Sequence, residues 1–174
     1  MADTTARTDC AQVYAIALGS NRRHHRHGDP RAIMAAAVDA IEQAGSEVMA
    51  VSYTLDSAPL GPSRRRFANA AAIIGSPLNP AGLLAVLKSI ERTFGRRPGM
   101  HWAARVIDLD IILWSGGMWH AEGLVVPHPH WRVRDFVLKP LAEIAPDWRD
   151  PVTNRTVRQL LHRLKSRGSW SQHA

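Results

Sequence analysis

Residues 105–114 read RVIDLDIILW, and no other stretch restricts the fold as tightly. The Val, Ile and Leu positions favour a strand, whereas aspartate is among the poorest strand formers. Side chains at i and i+2 of a strand share a face. Asp108 and Asp110 therefore share one face, and Ile107, Leu109, Ile111 and Leu113 are assigned to the other. The second set needs an apolar layer packed on it. The first places two carboxylates side by side, where they repel unless a cation or a proton sits between them. On the strand alone, a half-solvated acidic edge and a divalent-metal site satisfy the pattern equally.

The neighbouring sequence supplies the layers. QVYAIALG (12–19) reads as an apolar strand. Asp29 and Pro30 form a helix start, an N-cap followed by proline at the first helical position. Ile33, Met34, Ala37, Val38 and Ile41 make its apolar stripe, and Gly45 stops it. EVMAVSYTLDSA (47–58) alternates like one strand, and FANAAAII (67–74) reads as another. Asn79 and Pro80 open a second helix with the stripe Leu83, Val86, Leu87, Ile90 and Phe94, ending at Gly95. After the aspartate strand, SGG (115–117) is expected to turn it into a hairpin with 118–124. A helix is expected near 135–144, and 150–168 holds a basic amphipathic one. The order is βαββαβ plus a tail. It predicts an α+β fold with a ferredoxin-like βαββαβ core and a mainly antiparallel sheet with helices packed on it. The length of 174 residues fits one domain. Residues 1–11 are expected to be a disordered lead-in and 12–174 a single domain.

Charge narrows the function. The formal net charge of +7 suits a polyanionic partner, either nucleic acid or a phosphorylated small molecule. Arg and His crowd into 21–27, 63–67, 94–105 and 128–135. Each run alone reads better as a solvated loop that aids solubility; together they can line one mouth. No apolar run spans a membrane, and the N-terminal stretch lacks the apolar core of a signal peptide. The single cysteine, Cys10, allows no internal disulfide and fits a reducing cytoplasm. A Walker loop is absent, and so are the aromatic strand pattern of RNA-recognition modules and the helical H-x-x-x-H or paired cysteines of common zinc sites. Gly19-Ser20 offers a weak phosphate-binding turn.

Arg96, Arg97 and Arg105 lie just before the acidic strand. Arginines that fork onto phosphate oxygens, beside carboxylates that hold a cation, are the equipment of phosphoryl transfer. Strict alternation puts Arg105 on the face opposite the aspartates, so this reading needs an irregular strand start. A structural Arg105–Asp108 pairing is the alternative. Trp102, Phe67 and Phe136, in a loop or at element ends, can stack on flat rings.

In chain order, ALGSN, APLGPSRRRFANAAAII, IERTFGRRPGMHWAARVIDLDIILW and VVPHPHWRVRDFVLKPLAEIAPDW resemble the 6-hydroxymethyl-7,8-dihydropterin pyrophosphokinases of folate biosynthesis. W-x-x-R-x-I-D-L-D-I followed by V-P-H-P is the specific part. The resemblance covers nearly the whole chain. It implies a three-layer α-β-α arrangement and transfer of pyrophosphate from ATP to the pterin hydroxymethyl group with release of AMP. Two magnesium ions are implied, with Asp108 and Asp110 as their ligands and ATP as co-substrate. Arg96, Arg105 and Asp110 are the implied catalytic groups. The implied ATP contacts are Glu91, Arg96, Trp102, Arg105, Ile111, His128 and Arg134. Those implied for the pterin are Ser57, Leu60, Phe67, Asn69, Trp102 and Phe136, with Phe67 and Phe136 as the stacking pair. Loops 59–66 and 96–104 resemble lids. A cytoplasmic monomer that binds neither nucleic acid nor membrane is the expected form.

The chain departs from the family pattern in the lids. It reads W-A-A-R where many members read W-G-P-R, and it has Pro98 and His101 where arginine occurs in others. Phe67 stands where others have tyrosine. Three other readings remain open: a nucleotidyltransferase, a ferredoxin-like RNA-binding module, and an inactive paralogue that kept the fold. The first normally has its Gly-Ser turn close to its acidic pair, whereas here Gly19 is far upstream of Asp108.

Overall fold

Two matched start and stop signals set the helical layer of the computed structural model, which describes residues 12–57, 67–95 and 106–170. Helix α1 (Pro30–Gln43) begins at Asp29, whose carboxylate accepts from the N–H groups of Arg31 and Ala32. Helix α2 (Pro80–Thr93) begins at Asn79, whose side chain accepts from the Gly82 N–H. Gly45 and Gly95, at φ of 90° and 95°, follow the two helix ends in the left-handed region that glycine adopts without strain.

Strands β1 (Gln12–Ser20), β2 (Glu47–Val51), β3 (Leu55–Ser57), β4 (Phe67–Ser76) and β5 (Asp108–Trp114) form one sheet. Its order is β2-β4-β1-β5, with β3 also paired to β4. All its pairings are antiparallel. Connectivity and order are those of the ferredoxin-like βαββαβ arrangement. The segment expected as one strand over 47–58 is broken at Ser52. There the Ser52 N–H donates to the Ala71 carbonyl and the Ser52 hydroxyl accepts from the Ala71 N–H, so the side chain carries the ladder across the break.

Helices pack on both faces. Against α1 and α2 lie Tyr14, Ile16, Leu18, Ala70, Ala72, Ile74, Leu109 and Ile111. The other face carries Ala15, Ala71, Ile73 and Leu113, covered by α3 (Asp135–Ile144) and α4 (Val157–Trp170). Leu113 was assigned to the same face as Leu109 by alternation, and the structure reverses this. The β1–β5 register shifts between Ala15 and Ile16, leaving Ile112 as an extra residue that turns Leu113 over. The expected hairpin of β5 with 118–124 does not form either. Trp114 and Gly117 make an isolated bridge, and β6 (Trp119–Ala121) pairs with β7 (Leu124–Val126). Gly123, at φ 75°, lies in the turn between them.

A buried ion pair ties the polypeptide after β7 to the C-terminal layer. Asp150, fully buried, accepts two 2.7 Å bonds from the Arg132 guanidinium and one from the Thr153 hydroxyl. Arg132 belongs to the 3-10 turn Trp131–Val133, whose Trp131 is fully buried in the α3/α4 layer. The segment that carries His128 and Arg134 is thereby anchored. No helix among the described residues is long and apolar enough to cross a membrane.

Candidate active site

Paired residues on neighbouring strands point to the same side of a sheet. The row Leu55–Asn69–Gly19–Asp108 therefore shares one face. The next row, Ala71–Ala17–Asp110, shares it too. Ala71 packs under α3 and α4, which identifies the face. Phe67, two residues before Asn69 on β4, also points there. One end of this face thus carries Phe67 and Asn69 from β4 and Asp108 and Asp110 from β5, the two strands that flank β1. Gly19 separates Asn69 from Asp108 without filling the space: a Cβ there would already lie 3.6 Å from Asn69 Oδ1.

Gly19-Ser20 is not the turn expected from sequence. Both residues remain in β1, and the buried Ser20 hydroxyl donates to the Val106 carbonyl at 2.6 Å. That bond fixes the entry to the aspartate strand. Gly19 contributes room rather than phosphate-binding amides.

The far wall comes from the segment after β7 and the start of α3. The His128 N–H donates to the Ile112 carbonyl at 3.0 Å, joining this segment to β5. Burial lowers the His128 imidazole pKa from its ordinary value. Arg134 and His130 push the same way, against the opposing pull of Asp110 and Asp108. His128 is therefore electrostatically in touch with both aspartates. The Arg134 guanidinium lies 5.9 Å from the centre of the Phe136 ring, which packs at the margin of the second core.

Two of the expected ATP contacts, Ile111 and Glu91, lie away from the face that carries the aspartates. The Ile111 side chain is buried in the first core, on the face opposite the aspartates, so only its backbone is placed to meet a nucleotide. Glu91 is buried at the seam of α2 and β5, where it accepts from the Leu109 N–H at 2.8 Å and from Lys88 Nζ at 2.6 Å. It supports the aspartate strand from behind. Lys88, which sequence reading passed over, also lies 3.9 Å from Asp110 Oδ1. Its K-x-x-E spacing was legible, but such a pair on a helix ordinarily marks a solvated face. Ser57 is the last residue of β3 and pairs with Phe67. Leu60, Arg96, Trp102 and Arg105, with both expected lid loops, lie outside the described residues.

The donor set fits magnesium. Asp108 and Asp110 are hard oxygen donors on one face, and the Asp110 side chain is 36% exposed. Among the described residues no group of three His, Cys, Asp or Glu is arranged to enclose a metal. Magnesium is commonly held by one or two carboxylates together with substrate phosphates and water, and it does not need a closed protein cage.

A model of the 7,8-dihydro-6-hydroxymethylpterin-pyrophosphokinase (HPPK) family matches residues 15–146. Among curated proteins, the chain is 42% identical to a 2-amino-4-hydroxy-6-hydroxymethyldihydropteridine pyrophosphokinase of Pseudomonas aeruginosa, over 80% of this chain and 84% of that one. It is 41% identical to the protein of that name from Methylorubrum extorquens, covering 88% and 94%. The Synechocystis protein of that name is 38% identical over 73% of this chain, and the match spans 65% of its length. Among solved structures, wild-type Plasmodium falciparum HPPK-DHPS superposes with a TM-score of 0.76 at 15% identity, over 94% of this chain and 43% of that one. At that identity the likeness speaks for the fold alone.

Proposed function

The chain belongs to the 7,8-dihydro-6-hydroxymethylpterin-pyrophosphokinase family, and on that premise we propose that it transfers pyrophosphate from ATP to 6-hydroxymethyl-7,8-dihydropterin and releases AMP. The observation that carries this reading is the sharing of one sheet face by Asp108, Asp110, Asn69 and Phe67, with only Gly19 between Asn69 and Asp108. A cation-binding pair thus sits beside groups suited to a flat, hydrogen-bonding ring.

In this reading the hydroxymethyl oxygen attacks the β-phosphorus of ATP. The bond from that phosphorus to the α–β bridging oxygen breaks, AMP leaves with the oxygen, and the hydroxyl proton is lost to solvent or to a carboxylate. Asp108 and Asp110 would hold the magnesium ions, two by family resemblance. Bound there, magnesium supplies charge neutralisation for the phosphates. Asn69 would read the pterin edge, with Ser57 and Leu60 beside it. Phe67 and Phe136 would stack on the ring, which fixes its orientation. His128 and Arg134 would meet the nucleotide from the far wall, with the backbone of Ile111 on the adenine side. The lowering of the His128 pKa by burial favours its uncharged imidazole, which would serve as a hydrogen-bonding group. Arg96 and Arg105 would grip the triphosphate and stabilise AMP as it leaves, with Trp102 closing over the substrates. Glu91 would act through β5. We take residues 12–174 as one domain working as a cytoplasmic monomer on these two small molecules.

The test is AMP release followed by phosphorus NMR, with ATP, magnesium and the pterin each omitted in turn. AMP that forms only when all three are present is the expected result. AMP formed without pterin, or none at all, would contradict the reading.

A further inference from the structure

Strand β5 ends the sheet, and among the described residues it pairs only with β1. The outward N–H and C=O groups of an edge strand normally face water, and an edge strand is free to shift or fray. At Leu109, the residue between the two aspartates, this edge is closed by side chains. Glu91 accepts from its N–H at 2.8 Å, and Lys88 Nζ donates to its carbonyl at 3.3 Å. Lys88 and Glu91 are joined to each other at 2.6 Å and stand three apart on α2, so one helix face delivers both. Together they do for Leu109 what a neighbouring strand would.

We propose that Lys88 is a positioning residue: paired with Glu91 it clamps the free edge of β5 at Leu109 and so fixes Asp108 and Asp110 in place, which rests on the assignment of those aspartates as magnesium ligands. An exposed Lys–Glu pair contributes little. Here the carboxylate side chain is 0% exposed and both partners bond the same residue of the strand. Lys88 also reaches round the sheet edge to 3.9 Å from Asp110 Oδ1. It is therefore within range to act in either of two ways, and these have opposite signs. A cation acting only through its charge near Asp110 weakens divalent binding, so its removal would tighten it. A clamp that holds the carboxylates strengthens divalent binding, so its removal loosens it.

The test is manganese(II) titration of the whole chain by electron paramagnetic resonance, comparing wild type, Lys88→Met and Lys88→Arg. Lys88→Met is expected to weaken manganese binding about 10-fold, the scale of losing an outer-shell support of a metal site. Lys88→Arg is expected to restore most of it. The same loss should appear in kcat with the pterin KM unchanged. Hydrogen exchange gives a readout independent of metal and of turnover. The Leu109 amide of the wild type should be protected like the core amide of Ile16, and Lys88→Met should release Leu109 more than Ile16. Manganese binding by Lys88→Met that is equal or tighter would overturn the proposal. If that variant does not fold, a wild-type Leu109 amide that exchanges as fast as an exposed one would overturn it alone. Failure of the wild type to release AMP would instead overturn the proposed reaction, leaving the exchange result intact.

Discussion

The two faces of the sheet use the same strands for different purposes. On the α1/α2 face, Tyr14, Ile16 and Leu18 of β1, Ala68, Ala70, Ala72 and Ile74 of β4, and Leu109 and Ile111 of β5 are all buried. On the α3/α4 face the pattern changes along each strand. Ala15, Ala71, Ile73 and Leu113 are covered by helices, whereas Ala17, Gly19, Asn69, Asp108 and Asp110 are small or polar. The packed face holds the strands rigid so that the other can carry groups a core would reject. Burying two neighbouring carboxylates without a cation is costly, and the fold places them where one face of the strand is already anchored by Leu109 and Ile111.

Substitutions on opposite faces of one strand should separate activity from stability. The largest effect is expected for Asp110→Ala. Pterin-dependent AMP release should fall on the order of 10²–10³-fold, the scale of losing a preorganised charge-stabilising group, while thermal melts show no loss of stability. Leu109→Ala, one residue away but on the packed face, should cost about 2–5 kcal/mol in denaturant unfolding. A variant of Leu109 that lost activity with full stability would break the comparison.

The α3/α4 layer can be tested through its buried pair. Asp150→Ala should cost about 3 kcal/mol, because it strands the Arg132 guanidinium in a partly buried position. Burial pushes the Asp150 carboxyl up, but hydrogen bonds from Arg132, Thr153 and the Val152 N–H bring its pKa below the ordinary value. The folded state therefore binds this proton less readily than the unfolded chain. The pair's contribution is complete above the ordinary carboxylate range and is lost as pH falls toward the lowered value. Urea unfolding between neutral and acid pH should show this loss in the wild type and a shallower one in Asp150→Asn. The smallest overall effect is expected for Gly19→Val, whose change in stability should stay under about 1 kcal/mol since valine suits a strand. Its side chain would enter the gap between Asn69 and Asp108, so the pterin KM should rise several-fold.

Much of this arrangement was legible because local signals were strong. Asp29-Pro30 with Gly45, and Asn79-Pro80 with Gly95, bracket the two helices, and the alternation in β5 puts both aspartates on one face. What escaped was non-local. Nothing in IILW marks Ile112 as the extra residue that turns Leu113 over; the shift arises from the pairing with β1. Gly19 looked like a turn residue because glycine and serine favour turns, yet β1 continues through both. Lys88 carried no signal of its own because only the tertiary position of β5 brings a peptide edge and an aspartate to it. Asp150 and Arg132, eighteen residues apart, likewise meet only through the packing of α3 and α4.

The most direct test of the account is calorimetric titration with a nonhydrolysable ATP analogue, in magnesium and in EDTA, of the wild type and of the Asp108→Asn/Asp110→Asn double variant. The account predicts that magnesium strengthens analogue binding to the wild type, and that the double variant, folded to the same melting temperature or higher, binds in magnesium no better than the wild type in EDTA. Analogue binding that ignores both magnesium and the loss of the two carboxylates would contradict it.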